Sequence, residues 1–373
     1  MKTLLTAITL ATAAVAAGPA GAVPVFNFQF TPGTSAQAQQ GFIAAATRWS
    51  NLLADDVTIN LTVGFNPLSP GVLGQAQSAR QAYSYSAFRQ ELVNDITSTF
   101  DTTATASLAG GNTFGMLLNR TSNNPNGPGS ATPWLDNDAD ANNAFVRVTT
   151  AEAKAIGLAT RAQTLSGCLG PCDAFIQFNS NFTFDFNPTD GVSATAYDFI
   201  GTAAHEIGHA LGFVSGVDIL DNNATPPNLF PDNDFTWVSG LDMFRYSAQS
   251  AALGVIDWSA DNRDKFFSID GGATAGPRFS NGVMFGDGRQ ASHWKDDLFI
   301  GLMDPTAGLG EALAISPDDL LAMDVIGWDV SPIPEPSTCA MLGAGLLVLG
   351  GRALRRSVGK AARKPAVFRK NKK

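Results

Sequence analysis

Thr202-Ala-Ala-His205-Glu206-Ile-Gly-His209-Ala-Leu-Gly212-Phe213 holds two of the chain's three histidines, four residues apart. On a helix, residues i and i+4 share a face one turn apart, so both imidazoles can address one ion. Neutral imidazole suits zinc, and a catalytic zinc site combines three protein ligands with an open water position. Glu206 follows the first histidine directly and stands where a general base for that water is needed. The pattern predicts a helix that starts near Tyr197-Asp198, where Asp198 favours the helix dipole, and that stops at Gly212. Ile200, Ala204, Ile207 and Leu211 recur at helical spacing as its inward face. Gly208 inside the helix costs about 1 kcal/mol relative to Ala, which signals close backbone packing or room for a substrate.

Upstream, Val25-Phe-Asn-Phe-Gln-Phe30 alternates as a strand does, and Pro32-Gly33 breaks it. From Ser35, a candidate N-cap, Phe42, Ala46, Trp49 and Leu53 predict a long amphipathic helix. Val57, Ile59, Leu61, Val63 and Phe65 then predict a strand with one buried face. A second helix is expected from Ser86, with Phe88, Leu92 and Ile96 on one side. A helix crossing between two strands points to an α/β or α+β layer rather than a sandwich. Residues 121–143 read as a loop. Within it Asp136, Asp138 and Asp140 alternate as calcium ligands do, although Ala141 stands where glycine is expected and the closing Glu is missing. Both a calcium loop and a solvated turn fit that stretch. Phe145–Thr149 is expected as a strand and Ala151–Ala159 as a short helix. Ala174–Phe178 is a hydrophobic strand just before the histidine helix, able to form the cleft rim and to pair with an extended substrate by edge addition.

Two histidines leave the site one ligand short. In the compact form of the motif the third ligand follows the glycine by three residues, and here that residue is Ser215, a poor zinc ligand. Asp218 and His293 remain, and His293 is the chain's last histidine. Ten residues after it comes Gly301-Leu-Met303-Asp-Pro305, a turn with an apolar sulfur side chain at its centre.

The set His205-Glu206-x-x-His209-x-x-Gly212-Phe213, a long insertion, His293-Trp294 and Met303 resembles the leishmanolysin-like branch of the metzincin zinc peptidases. The match covers roughly residues 196–330, including Ile315–Trp328, which is similar to the final helix of such domains. The resemblance implies an α+β, zincin-like fold with a twisted mixed sheet, long helices, an active-site helix and a Met-turn subdomain. It implies His205, His209 and His293 as zinc ligands, Glu206 as general base and Met303 as the Met-turn residue, in an endopeptidase acting on protein or peptide substrates. No tyrosine follows Met303, so no transition-state hydrogen bond is assigned there. The alternative is a surface or extracellular-matrix structural protein that keeps a peptidase fold without significant turnover.

Composition limits the partners and the address. Between Val23 and Ser331 there are 13 Lys and Arg against 32 Asp and Glu, a net charge of −19, which excludes nucleic acid as an expected partner. Residues 1–22 read as a secretory signal: Lys2, an apolar stretch from Leu4 to Ala17, and a small-residue cleavage site at Ala20-Gly-Ala22. In the oxidising compartment that export implies, Cys168 and Cys172 are expected to form a small disulfide, leaving Cys339 over. Residues 23–331 are then the peptidase-like domain. Pro334-Glu335-Pro336, an apolar stretch from Ser337 to Gly351 and the cluster Arg352, Arg355 and Arg356 resemble a PEP-CTERM sorting signal over residues 332–356. That resemblance implies an exosortase-like partner, a transient C-terminal membrane anchor and a destination at the cell surface, in the matrix or outside the cell. A basic tail fills 357–373.

Overall fold

The computed structural model describes residues 22–223 and 227–331. The signal segment up to residue 21, the apolar stretch Ser337–Gly351, Cys339 and the basic tail lie outside the described residues. The body is a mixed α/β arrangement with several sheets and helices.

In chain order the first elements are β1 (Val25–Phe30), α1 (Ala36–Ser50), β2 (Thr58–Asn66), β3 (Gly74–Ser78), β4 (Arg80–Ser84), α2 (Tyr85–Asn94) and α3 (Thr99–Ser107). There follow β5 (Met116–Leu118), β6 (Trp134–Asp136), α4 (Ala141–Ala144), β7 (Phe145–Thr149), α5 (Thr150–Ala155), β8 (Ala174–Asn179), β9 (Phe184–Asp185) and β10 (Tyr197–Asp198). The histidine helix is α6 (Phe199–Leu211), followed by α7 (Val217–Leu220), β11 (Arg245–Tyr246), α8 (Ala248–Leu253), β12 (Ile256–Asp257), β13 (Lys265–Phe267), β14 (Arg278–Phe279) and α9 (Pro317–Val325).

The main sheet has the order β1-β2-β8-β3, with the first three strands parallel and β3 antiparallel to β8. This corrects the expected role of Phe175–Phe178. Both sides of β8 are hydrogen-bonded, to β2 and to β3, so it has no free edge to offer. The edge next to β8 is β3, whose sequence Gly-Gln-Ala-Gln-Ser carries no apolar alternation, and the sheet's other edge is β1.

Helix ends follow local chemistry. Ser35 caps α1 through its hydroxyl, which accepts from Ala38 N at 3.2 Å, and Ser84 caps α2, which begins at Tyr85, one residue before the expected start at Ser86. Ile96, expected on that second helix, lies beyond its end at Asn94. The short helix α5 closes at Ala155 instead of Ala159. The Thr-rich α3, which the apolar pattern does not announce, begins with a capping box from Ser98 and Asp101.

Helix α6 is tied to the sheet by an aromatic cluster at its first turn. The Phe199 ring meets Phe42 of α1 at 5.1 Å, Phe178 of β8 at 4.8 Å and Phe65 of β2 at 5.9 Å between centroids. Gly41 makes room, since a Cβ there would lie 2.4 Å from the Phe199 ring. Two buried tryptophans anchor the same helix through its carbonyls: Trp49 Nε1 donates to Ala204 O and Trp328 Nε1 to Leu211 O, both at 2.8 Å. Side chains distant in sequence therefore hold α6 along its length.

Candidate metal centre

Asp198 starts α6 by accepting the Gly201 N–H at 2.8 Å, and Gly212, at φ 131°, ends it. Ala204, Ile207 and Leu211 are fully buried, while Ile200 is half-buried. Gly208 faces Met303: a Cβ at that position would sit 2.5 Å from the Met303 sulfur. The glycine thus serves close packing, and Met303, fully buried, lies against the helix between its two histidines.

The structure brings His293 to the same point. His209 Nε2 lies 3.1 Å from His205 Nε2 and 3.1 Å from His293 Nε2. Each ring's other nitrogen faces a backbone carbonyl: His205 Nδ1 faces Leu302 O at 2.7 Å, His209 Nδ1 faces Phe213 O at 2.6 Å and His293 Nδ1 faces Gln290 O at 3.3 Å. A carbonyl only accepts, so each Nδ1 carries the hydrogen and each Nε2 presents a lone pair. Three converging lone pairs repel one another unless a cation lies among them. The spacing suits zinc: tetrahedral geometry with Zn–N near 2.0–2.1 Å places ligand nitrogens about 3.3 Å apart. Among the described residues these three form the group of His, Cys, Asp or Glu whose ligand atoms all fall within 4.8 Å of one another.

Burial and mutual proximity act on the protonation of these rings. Desolvation, then the neighbouring His205, lowers His209 to about 3. Desolvation is also the main cause that lowers His205 and holds His293 well below its ordinary value. The imidazoles are therefore neutral, the form that ligates metal. Burial pushes the adjacent Glu206 carboxyl up to about 8 when no cation stands beside it.

Ser215 and Asp218, weighed for the third position, have other roles. Ser215 Oγ donates to Asp242 Oδ1 at 2.5 Å. Asp218 accepts the Ala291 N–H at 2.6 Å and the Ser292 hydroxyl, so it fixes the loop that carries His293. Asp319, which belongs to none of the sequence motifs, does the same for the turn at Met303: it accepts N–H bonds from Leu302 at 2.7 Å and Met303 at 3.2 Å. Its one sequence signal is the Ser316-Pro-Asp-Asp319 capping box that starts α9.

His205, Glu206, His209 and His293 open into a cleft of about 620 Å³, lined also by Gly74, Gln75 and Ala76 of the edge strand and by Tyr197, Arg289 and Asp304. Glu206 approaches β3 closely: a Cβ on Gly74 would lie 3.1 Å from Glu206 Oε1. Elsewhere, Cys168 and Cys172 are joined as a disulfide.

The arrangement is that of a three-histidine centre with a carboxylate beside it and an unpaired strand edge along its cleft. Residues 332–356 match the PEP-CTERM protein-sorting motif. That motif indicates an exported, cell-surface-associated protein and implies recognition by an exosortase-like sorting enzyme. No curated protein and no solved structure matches the chain. Among the described residues, no helix is long and apolar enough to cross a membrane.

Proposed function

We propose that the chain is an exported zinc-dependent endopeptidase of metzincin-like fold. The observation that carries this reading is the convergence of three Nε2 lone pairs, each ring's Nδ1 spent on a carbonyl, with Glu206 in the same cleft. His205, His209 and His293 would hold the ion. Bound there, zinc would lower the pKa of a coordinated water towards about 7 and polarise a substrate carbonyl.

The chain's own groups supply the rest. A nearby divalent charge favours the ionised form of Glu206, so its carboxylate can take the proton from the attacking water and later deliver it to the leaving amine. The strand β3, hydrogen-bonded on one side to β8 and lining the cleft with Gly74–Ala76, offers backbone groups to an extended peptide. A side chain at Gly74 would crowd both Glu206 and Phe178, so the glycine keeps the strand near the base. Leu302 O, Phe213 O and Gln290 O orient the three rings, and burial keeps them neutral.

The decisive comparison is cleavage of a generic unfolded protein by the wild-type chain and by Glu206→Ala, each with its zinc content measured. Cleavage by the first and a loss of several orders of magnitude in the second is the expected outcome. Equal inactivity with one zinc bound in both would instead favour a surface or matrix protein that keeps the fold and metal without turnover.

A further inference from the structure

The acidic loop Asp136–Asn142 is not the solvated turn that its composition allows. Asp136 and Asn142 are both fully buried, with only the middle of the loop exposed. The Asn142 amide donates to Asp136 Oδ2 at 2.7 Å, which ties the two side chains together and leaves the remaining oxygen of each buried with no partner. Asp140 repeats the pattern: one oxygen is held by the Asn233 amide, and the other is buried without a partner. Leaving one such oxygen unsatisfied costs on the order of 1–3 kcal/mol, and three in one loop form a locus rather than an accident.

The charge balance points the same way. Asp138, Asp140 and Asp232 all lie close enough to Asp136 to act on it electrostatically, and Asp232 is itself buried. Among the described residues, none of these four carboxylates makes an ion pair with Lys, Arg or His. Buried carboxylates without a counter-charge are otherwise rare.

We infer that this loop is a cation site of its own, separate from the histidine centre, and that it takes Ca²⁺ through Asp136, Asp140 and the amide oxygen of Asn142. The donors are all hard oxygens, which select Ca²⁺ over zinc. Among the described residues the carboxylates alone do not gather within ligand distance as the three histidines do, so the proposed site draws on the buried, unpartnered amide oxygen of Asn142 as a further donor.

The test uses the zinc-loaded protein, with Tb³⁺ as a luminescent stand-in excited through tryptophan, since Trp134 lies two residues before Asp136. One equivalent of Tb³⁺ displaced by Ca²⁺, together with a melting temperature that rises with Ca²⁺ and much less with Mg²⁺, is the expected result. Asp136→Asn should abolish both responses. Asp138→Asn, at an exposed position that the fold tolerates, should weaken Ca²⁺ binding on the order of tenfold through lost charge. The inference is overturned if Ca²⁺ neither displaces Tb³⁺ nor raises the melting temperature, or if both variants respond as the wild type does. It is also overturned if Asp136→Asn stabilises a protein that ignores Ca²⁺, because the orphan oxygens would then share a proton.

Discussion

The carboxylate of Asp319 accepts the indole N–H of Trp294 at 2.8 Å while also holding the turn backbone at Leu302 and Met303. One buried acid therefore joins the residue after His293 to the residue whose carbonyl orients His205. The bond from Trp294 N to Met303 O, 3.0 Å, closes the same unit from the other side. Two of the three rings take their positions from this knot.

Asp319→Ala should weaken zinc binding on the order of 10- to 100-fold, the usual effect of removing a group that orients ligands, although Asp319 touches no ring. Competition with a chromophoric chelator measures it. An affinity equal to that of the wild type would show that the Met303 turn and the His293 loop hold their places without this acid.

His293→Ala should leave a two-histidine site that retains zinc poorly and cleaves nothing measurable. Metal analysis after gel filtration gives the stoichiometry. Full zinc content with full activity would reject His293 as the third ligand.

Gly208→Ala adds a methyl group 2.5 Å from the Met303 sulfur. Helix propensity favours alanine by about 1 kcal/mol, but overpacking in a tight core costs about 1–3 kcal/mol, so net destabilisation is expected. Thermal unfolding of the single variants and of Gly208→Ala with Met303→Ala should show coupling, because the smaller partner frees the space the methyl needs. Strict additivity would mean that the two residues do not press on each other.

Trp328→Phe keeps most of the apolar surface and removes the donor to Leu211 O, leaving a carbonyl at the end of α6 unpaired. A loss of about 1–3 kcal/mol is expected from chemical denaturation, with the slope of the transition unchanged. Trp49→Phe should cost less, because Ala204 O lies inside α6 and keeps its helical partner, the Gly208 N–H.

Stability should fall as pH rises above about 4, because several buried acids hold protons in the folded chain that the unfolded chain releases. Asp55 shows the sign: burial, and then the charge of Asp329, raises it from 3.8 to about 7. Between those values the native state binds the extra proton, so its advantage is lost as pH climbs and the full penalty is present above about pH 7. Asp95, raised to about 8 chiefly by burial and then by Asp329, extends the slope. Asp55→Asn should flatten part of the decline and raise the melting temperature near neutrality, as scanning calorimetry across pH would show. An unchanged slope would remove Asp55 from the account.

The sequence alone determined what short-range periodicity and chemistry can encode. The i, i+4 spacing put His205 and His209 on one face, Gly212 ended their helix, and the alternation of Ile59, Leu61 and Val63 marked a buried strand. It also supplied His293, Met303 and the sorting motif as residues worth joining. Tertiary structure decided what depends on partners far along the chain. Only folding placed polar β3, and not apolar β8, at the sheet edge beside the cleft, since hydrophobicity reports burial and says nothing of which strand is left unpaired. Only folding turned Asp218 from a possible ligand into a loop anchor and gave Asp319 its hold on the turn at Met303, because a carboxylate's role is set by the donors that surround it. The same reason applies to the acidic loop, where composition favoured a solvated turn over a calcium loop and only folding showed that Asp136 and Asn142 are buried.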